Sequence, residues 1–166
     1  KLASNGEYDK VLEETHKYMG LRKKVSHKRV LDKLEDDLLA YVTMEVINKE
    51  KNVAFEVVVE CEPKVTLSKL HYFLEMYGII LDNAVDAAKK ANLRYVKIVF
   101  DEDKVIVENS YVKEDVEQLV ERNSLKGLSR RINGLKLLDY LEQESNINVN
   151  VDVSYRVIVS LEVNDA

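Results

Sequence analysis

Tryptophan is absent from this 166-residue chain, and cysteine and proline occur once each, as Cys61 and Pro63. A single cysteine forms neither an intrachain disulfide nor a cysteine metal cluster, the pattern expected of a cytoplasmic protein. Cys61 is expected to be a small buried or half-buried hydrophobe with no chemical role. The five glycines form no Walker phosphate loop and no dinucleotide fingerprint, and paired histidines at zinc spacing and a nucleophile elbow are missing as well. No run approaches the roughly 20 apolar residues needed to cross a bilayer, and no basic-then-apolar start marks a signal peptide. Excess positive charge is lacking too. Against 25 basic residues stand 30 acidic ones, a net charge of -5, which argues against nucleic acid as a partner.

What is present suits one globular domain, alone or with an extra helix: 46% of residues are hydrophobic and 33% charged. The start at Lys1 rather than Met suggests a fragment. Residues Tyr8 to Val25 read as a helix with a limited contact face. From Lys28 to Lys49, Val30, Leu31, Leu34, Leu38, Val42 and Val46 recur at helical spacing. Val53 to Glu60 is rich in β-branched residues and reads as a strand, with Pro63 beyond it. A long helix is expected from Thr66 to about Lys90, then strands Tyr95–Phe100 and Val105–Glu108 joined by the polar link Asp101–Lys104. A helix over Lys113–Arg122, a polar loop over Asn123–Asn133, a helix over Gly134–Glu142 and strands Asn148–Val153 and Tyr155–Val163 complete the order. Such mixed order with hairpins predicts an α+β fold, a two-layer sandwich with helices on one face of a mixed, largely antiparallel sheet.

One segment carries chemistry. Gly78-Ile79-Ile80-Leu81-Asp82-Asn83-Ala84-Val85-Asp86-Ala87-Ala88 sets two acids and an amide into an otherwise apolar helix, where burial without partners is costly. Asn83 and Asp86, three apart, share a helical face, and the alanines keep the helix narrow enough for a ligand to approach. An amide oxygen beside a carboxylate suits a hard cation such as Mg²⁺, which also takes waters and substrate phosphates.

This segment resembles the N-box of the GHKL ATPase superfamily, and most of all that of the pheromone-responsive quorum-sensing histidine kinases of Gram-positive bacteria. The similarity extends over roughly residues 28 to 163. It takes in the preceding helix and strand, the strand pair ending in Val107-Glu108-Asn109-Ser110, and the stretch Ser124-Leu125-Lys126-Gly127. The resemblance implies a Bergerat-type domain over residues 28–166, with residues 1–27 as the helical tail of a dimerisation region. By the same resemblance Asn83 coordinates Mg²⁺ bridging the ATP phosphates, and Asp82 and Asp86 shape the site. Asn109 stands near the adenine side, Lys126 and Gly127 in a lid loop, and Gly134 at the opening of a helix whose backbone amides face phosphate. No catalytic base is assigned: Ile79 stands four residues before Asn83, where hydrolysing members carry a glutamate. The phosphoacceptor histidine is expected upstream of Lys1, since His16 lacks the following residues of an acceptor box. His27 and His71 read as surface or helix-face residues.

Bland readings stay open beside these. The acids of the N-box can face solvent or pair with Lys89 and Lys90, the Lys126 to Gly134 stretch can be a basic surface loop, and Asn109 can simply close a strand. Relatives carry a glycine-leucine-glycine-leucine run where this chain reads Arg131-Ile132-Asn133-Gly134-Leu135. One glycine that admits close backbone approach is therefore lost, although Asn133 tolerates the left-handed region. The expected function is the ATP-binding domain of a sensor histidine kinase, cytoplasmic in a receptor anchored by a membrane sensor. A response regulator and a second copy, held through upstream helices, are its expected partners. A degenerate scaffold without nucleotide, or an anti-sigma-type serine kinase of the same fold, are the alternatives.

Overall fold

A computed structural model describes residues 27–114, 133–154 and 156–163. The expected helices over Tyr8–Val25 and Lys113–Arg122 beyond residue 114, and the polar loop before Asn133, lie outside the described residues. The elements run α1 (Asp37–Lys49), β1 (Ala54–Val59), α2 (Leu67–Lys90), β2 (Tyr95–Phe100), β3 (Lys104–Asn109), α3 (Asn133–Ser145), β4 (Ile147–Val153) and β5 (Val157–Val163). The five strands form one sheet in the order β1-β2-β3-β5-β4. Only β1 and β2 pair in parallel; the other neighbours are antiparallel. The fold is thus the α+β two-layer arrangement expected.

Strand alternation sets the layers. In β2 and β3, Val96, Ile98, Phe100, Val105, Val107 and Asn109 point inward and are buried, while the residues between them are half-buried on the other face. Against the inward face lies α2, which buries Phe73, Met76, Tyr77, Ile80, Leu81, Ala84, Val85 and Ala88, the stripe its spacing predicts. Leu39 and Ile47 of α1 and Leu138 and Leu141 of α3 complete the core.

The helix expected as one piece from Lys28 is two. A helical turn at 27–31 stops, and α1 starts afresh because Asp36 caps it, its Oδ1 accepting from Leu38 N at 2.8 Å and Leu39 N at 3.2 Å. The break is held from afar: Glu62 accepts from the backbone of Glu35 at 3.0 Å and of Asp36 at 2.5 Å. Restarting shifts the buried stripe by one residue, so Leu39 is buried at 1% exposure while Leu38 is 52% exposed. Asp36→Ala is expected to cost about 1 kcal/mol in urea unfolding through the lost cap. At its far end α3 stops in Asn146, whose φ of 56° is the left-handed conformation that asparagine tolerates. Cys61, expected buried or half-buried, is exposed, because it follows β1 in the loop leading to α2. His27 lies in the helical turn and is half-buried, its Nε2 bonded to Phe55 O at 3.0 Å on the edge strand, with Nδ1 buried and without a partner among the described residues. His71 is exposed and its ring lies at a tilt against Tyr72.

Candidate functional site

Helical geometry separates the polar residues of the N-box segment onto different flanks of α2. Asn83 follows Met76 by two turns and lies on the same stripe. Met76 Sδ accepts from Ser145 Oγ of α3 at 3.7 Å, so this flank faces α3. Asp82 shares its stripe with Lys89, whose Nζ pairs with Glu50 at 3.1 Å, so that flank faces α1. The two adjacent residues thus look to different neighbours. Asp86 is exposed on the outward side between them.

Asn83 is half-buried and has no hydrogen-bond partner among the described residues, yet its polar atoms are not sealed from solvent. Ala87, one turn on, adds little bulk beside it. An amide in that state is available to a ligand. Topology brings Asn109 and Gly134 to the same end of the sandwich. α2 finishes there before entering β2, and Asn109 ends β3 opposite Val96 at the start of β2. α3 ends beside Met76 and feeds β4, whose first residue Ile147 pairs with Val163 at the other end. Because Leu138 and Leu141 are buried, α3 lies along the core, and its 13 residues carry Asn133 and Gly134 about 18 Å back toward the Asn83 end.

Asn109 is buried, and its Nδ2 donates to Ser110 O at 2.9 Å. Ser110, passed over in the sequence reading, closes the strand pair: its N–H donates to Tyr95 O at 3.0 Å and its Oγ accepts from Tyr95 N at 3.1 Å. A hydroxyl directly after a strand-ending asparagine was the available signal. Lys126, Gly127, Arg131 and Ile132 lie outside the described residues.

Asp82 has its pKa raised by burial first, then by the Asp86 carboxylate and, more weakly, by Glu45 and Glu50, while Lys49 opposes the rise. A raised carboxylate pKa means that the native state holds this proton more tightly than the unfolded chain. Its contribution to stability is therefore present at acidic pH and lost as pH climbs through the raised value. Asp82→Asn is expected to raise the free energy of unfolding at pH 7, by no more than about 0.5 kcal/mol because the group is largely exposed, and to make no difference near pH 3, as urea unfolding at the two pH values checks.

Among the described residues no three acidic, histidine or cysteine side chains group into a metal cage. The donor set at Asn83 is one neutral oxygen, which fits a cation carried by phosphates and water and not one held by protein alone. A groove of about 770 Å³ lies at the opposite end of the sandwich, lined by Glu35, Asp36, Leu39, Cys61, Glu62 and Thr66 among others, and contains none of the N-box residues. No described helix is long and apolar enough to cross a membrane.

The fold is similar to that of solved histidine kinase catalytic domains. The histidine kinase domain of the blue-light activated kinase from Erythrobacter litoralis EL346 superposes with a TM-score of 0.52 at 19% identity, covering 76% of this chain and 60% of that one. The catalytic domain of histidine kinase ThkA gives 0.51 at 20% identity, covering 76% of this chain and 90% of that one. Against a longer structure of the Erythrobacter kinase the score is 0.54 at 17% identity, and this chain spans 49% of its length. At such identities the likeness is one of fold. No protein-family model and no curated protein matches the chain.

Proposed function

We propose that this chain is the ATP-binding catalytic domain of a sensor histidine kinase, of the peptide-pheromone type its N-box resembles. The observation that carries the reading is Asn83: a half-buried amide without a partner among the described residues, on the flank of α2 that faces α3, in a sandwich of the histidine-kinase type. Mg²⁺-ATP, when bound, supplies the γ-phosphoryl group and much of the charge neutralisation for its transfer. Asn83 contributes an oxygen to the metal, Asp86 a nearby negative field, and the opening turn of α3 at Gly134 its backbone N–H groups to phosphate. Asn109 belongs to the adenine side, and Lys126 and Gly127, outside the described residues, are the phosphate-side residues that the resemblance implies. Asp82, on the α1 flank, acts on the site through charge alone.

The acceptor is a histidine on an upstream dimerisation helix, and a response regulator receives the phosphate in turn. In the intact receptor a membrane sensor precedes this domain. Isothermal titration with Mg²⁺-ADP, repeated in excess EDTA, tests the reading. Binding that requires magnesium is expected. Absence of heat and of any thermal shift up to millimolar nucleotide refutes it and favours the second reading, a scaffold without nucleotide, for which Ile132 and Asn133 in place of a glycine are the motivating residues.

A further inference from the structure

Among the described residues, one pair of buried hydroxyls bridges two helices in the core. Thr43 in the middle of α1 and Tyr77 in α2 are both at 0% exposure, and their oxygens lie 2.6 Å apart. Thr43 Oγ1 donates to Leu39 O at 2.8 Å, which uses its only hydrogen, so the Tyr77 hydroxyl is the donor to Thr43. The Tyr77 ring also meets Phe100 of β2 edge to face at 5.9 Å, so this one side chain is held by a helix on one side and the sheet on another. Burial pushes the phenol above its ordinary pKa, and it stays protonated across the working range.

What such a pair adds is register. Residues Gly78, Ile79, Ile80 and Leu81 are all apolar, and successive steps of about 100° carry them around most of the helix circumference. The eight buried residues of α2 exclude a turn by a whole residue, which would bring Glu75 and Asn83 into the core, but a rotation by a fraction of that step keeps the same stripe covered and is only weakly opposed by non-directional apolar packing. The observed rotation buries Ile80 at 4% exposure and leaves Ile79 half-buried. Such a smaller rotation still swings Asn83 relative to the flank facing α3, whereas a buried hydroxyl pair is satisfied only over a narrow range of geometry.

We propose that the Thr43–Tyr77 hydrogen bond is a positioning device that fixes the rotation of α2 on α1 and so aims Asn83. The metal-binding part of this inference rests on the reading of Asn83 given above; the rotational part does not. The test compares Thr43→Val/Tyr77→Phe, which removes both hydroxyls and leaves no orphan, with Thr43→Ser, which keeps the hydroxyl and loses a methyl. If the pair only packs, the serine variant is the more damaged. If it sets rotation, Mg²⁺-ADP affinity falls about fivefold or more in the double variant and stays near wild type in Thr43→Ser, even where the serine variant melts lower. In amide NMR spectra of the nucleotide-free protein, residues 79–84 are expected to double or broaden in the double variant and to remain single in Thr43→Ser. Single sharp signals in the double variant overturn the proposal. So does an affinity order that follows melting temperature. Should the wild type bind no nucleotide, the kinase reading fails by itself and the NMR comparison still decides the rotation.

Discussion

Replacing Asn83 by alanine is expected to weaken Mg²⁺-dependent nucleotide binding by about 100-fold, the upper end of what loss of a single metal-associated group costs. Its stability is expected to change little, within about 0.5 kcal/mol, because the exchange puts a good helix former into a helix interior. The amide has no partner among the described residues to lose, and its polar atoms are not sealed from water. Binding and folding are therefore separable at this position, which makes it a sharper probe than any buried residue of α2. Titration with Mg²⁺-ADP measures the first quantity and urea unfolding the second. Asp86→Ala is the matched control: exposed, one turn away and also without a hydrogen bond among the described residues, it is expected to alter affinity by less than about fivefold. Nucleotide binding that survives loss of the amide would move the metal away from α2 altogether.

Legibility in the sequence followed the range over which each feature is determined. α2, β2 and β3 stand within a residue of expectation, because an unbroken apolar stripe and a short polar link at Asp101–Lys104 are local signals. The break before α1 was not legible. Asp36 offered a cap, but the stripe from Val30 to Val46 runs through it, and the carboxylate that holds the break open comes from Glu62. Pairing in parallel between β1 and β2 follows from the crossover through α2, which no local pattern encodes. At the site, composition marked Asp82, Asn83 and Asp86 as a group. Their division between an α1 flank and an α3 flank depends on which helix covers which side of α2, and that is settled by packing at Met76 and Lys89. Thr43 was visible only as a hydroxyl among the apolar residues of α1. Its partner lies in another helix.

Phe100→Ala is expected to be the most damaging single truncation in the sheet. Phe100 is fully buried, stands in register between Val59 and Val105, and presents an edge to Tyr77 of α2. Removing an aromatic side chain from such a site costs about 3–5 kcal/mol through lost transfer and the cavity left behind. Against a total stability of about 5–15 kcal/mol, that is enough to lower the urea midpoint by about 2 M or to leave the chain unfolded at 37 °C. Phe100→Leu keeps most of the volume and is expected to lose no more than about 1.5 kcal/mol. The contrast matters for the site as well as for the core. β2 carries Phe100 at the end where α2 begins and Val96 opposite Asn109 at the end where α2 finishes. Loosening one end should therefore show at the other as faster hydrogen exchange at Asn109 and Ser110 in the leucine variant, measured under conditions where it remains folded. Unchanged exchange there would mean that the Asn109 end of the sheet is held by β5 and Ser110 alone, independently of the packing of α2 on Phe100.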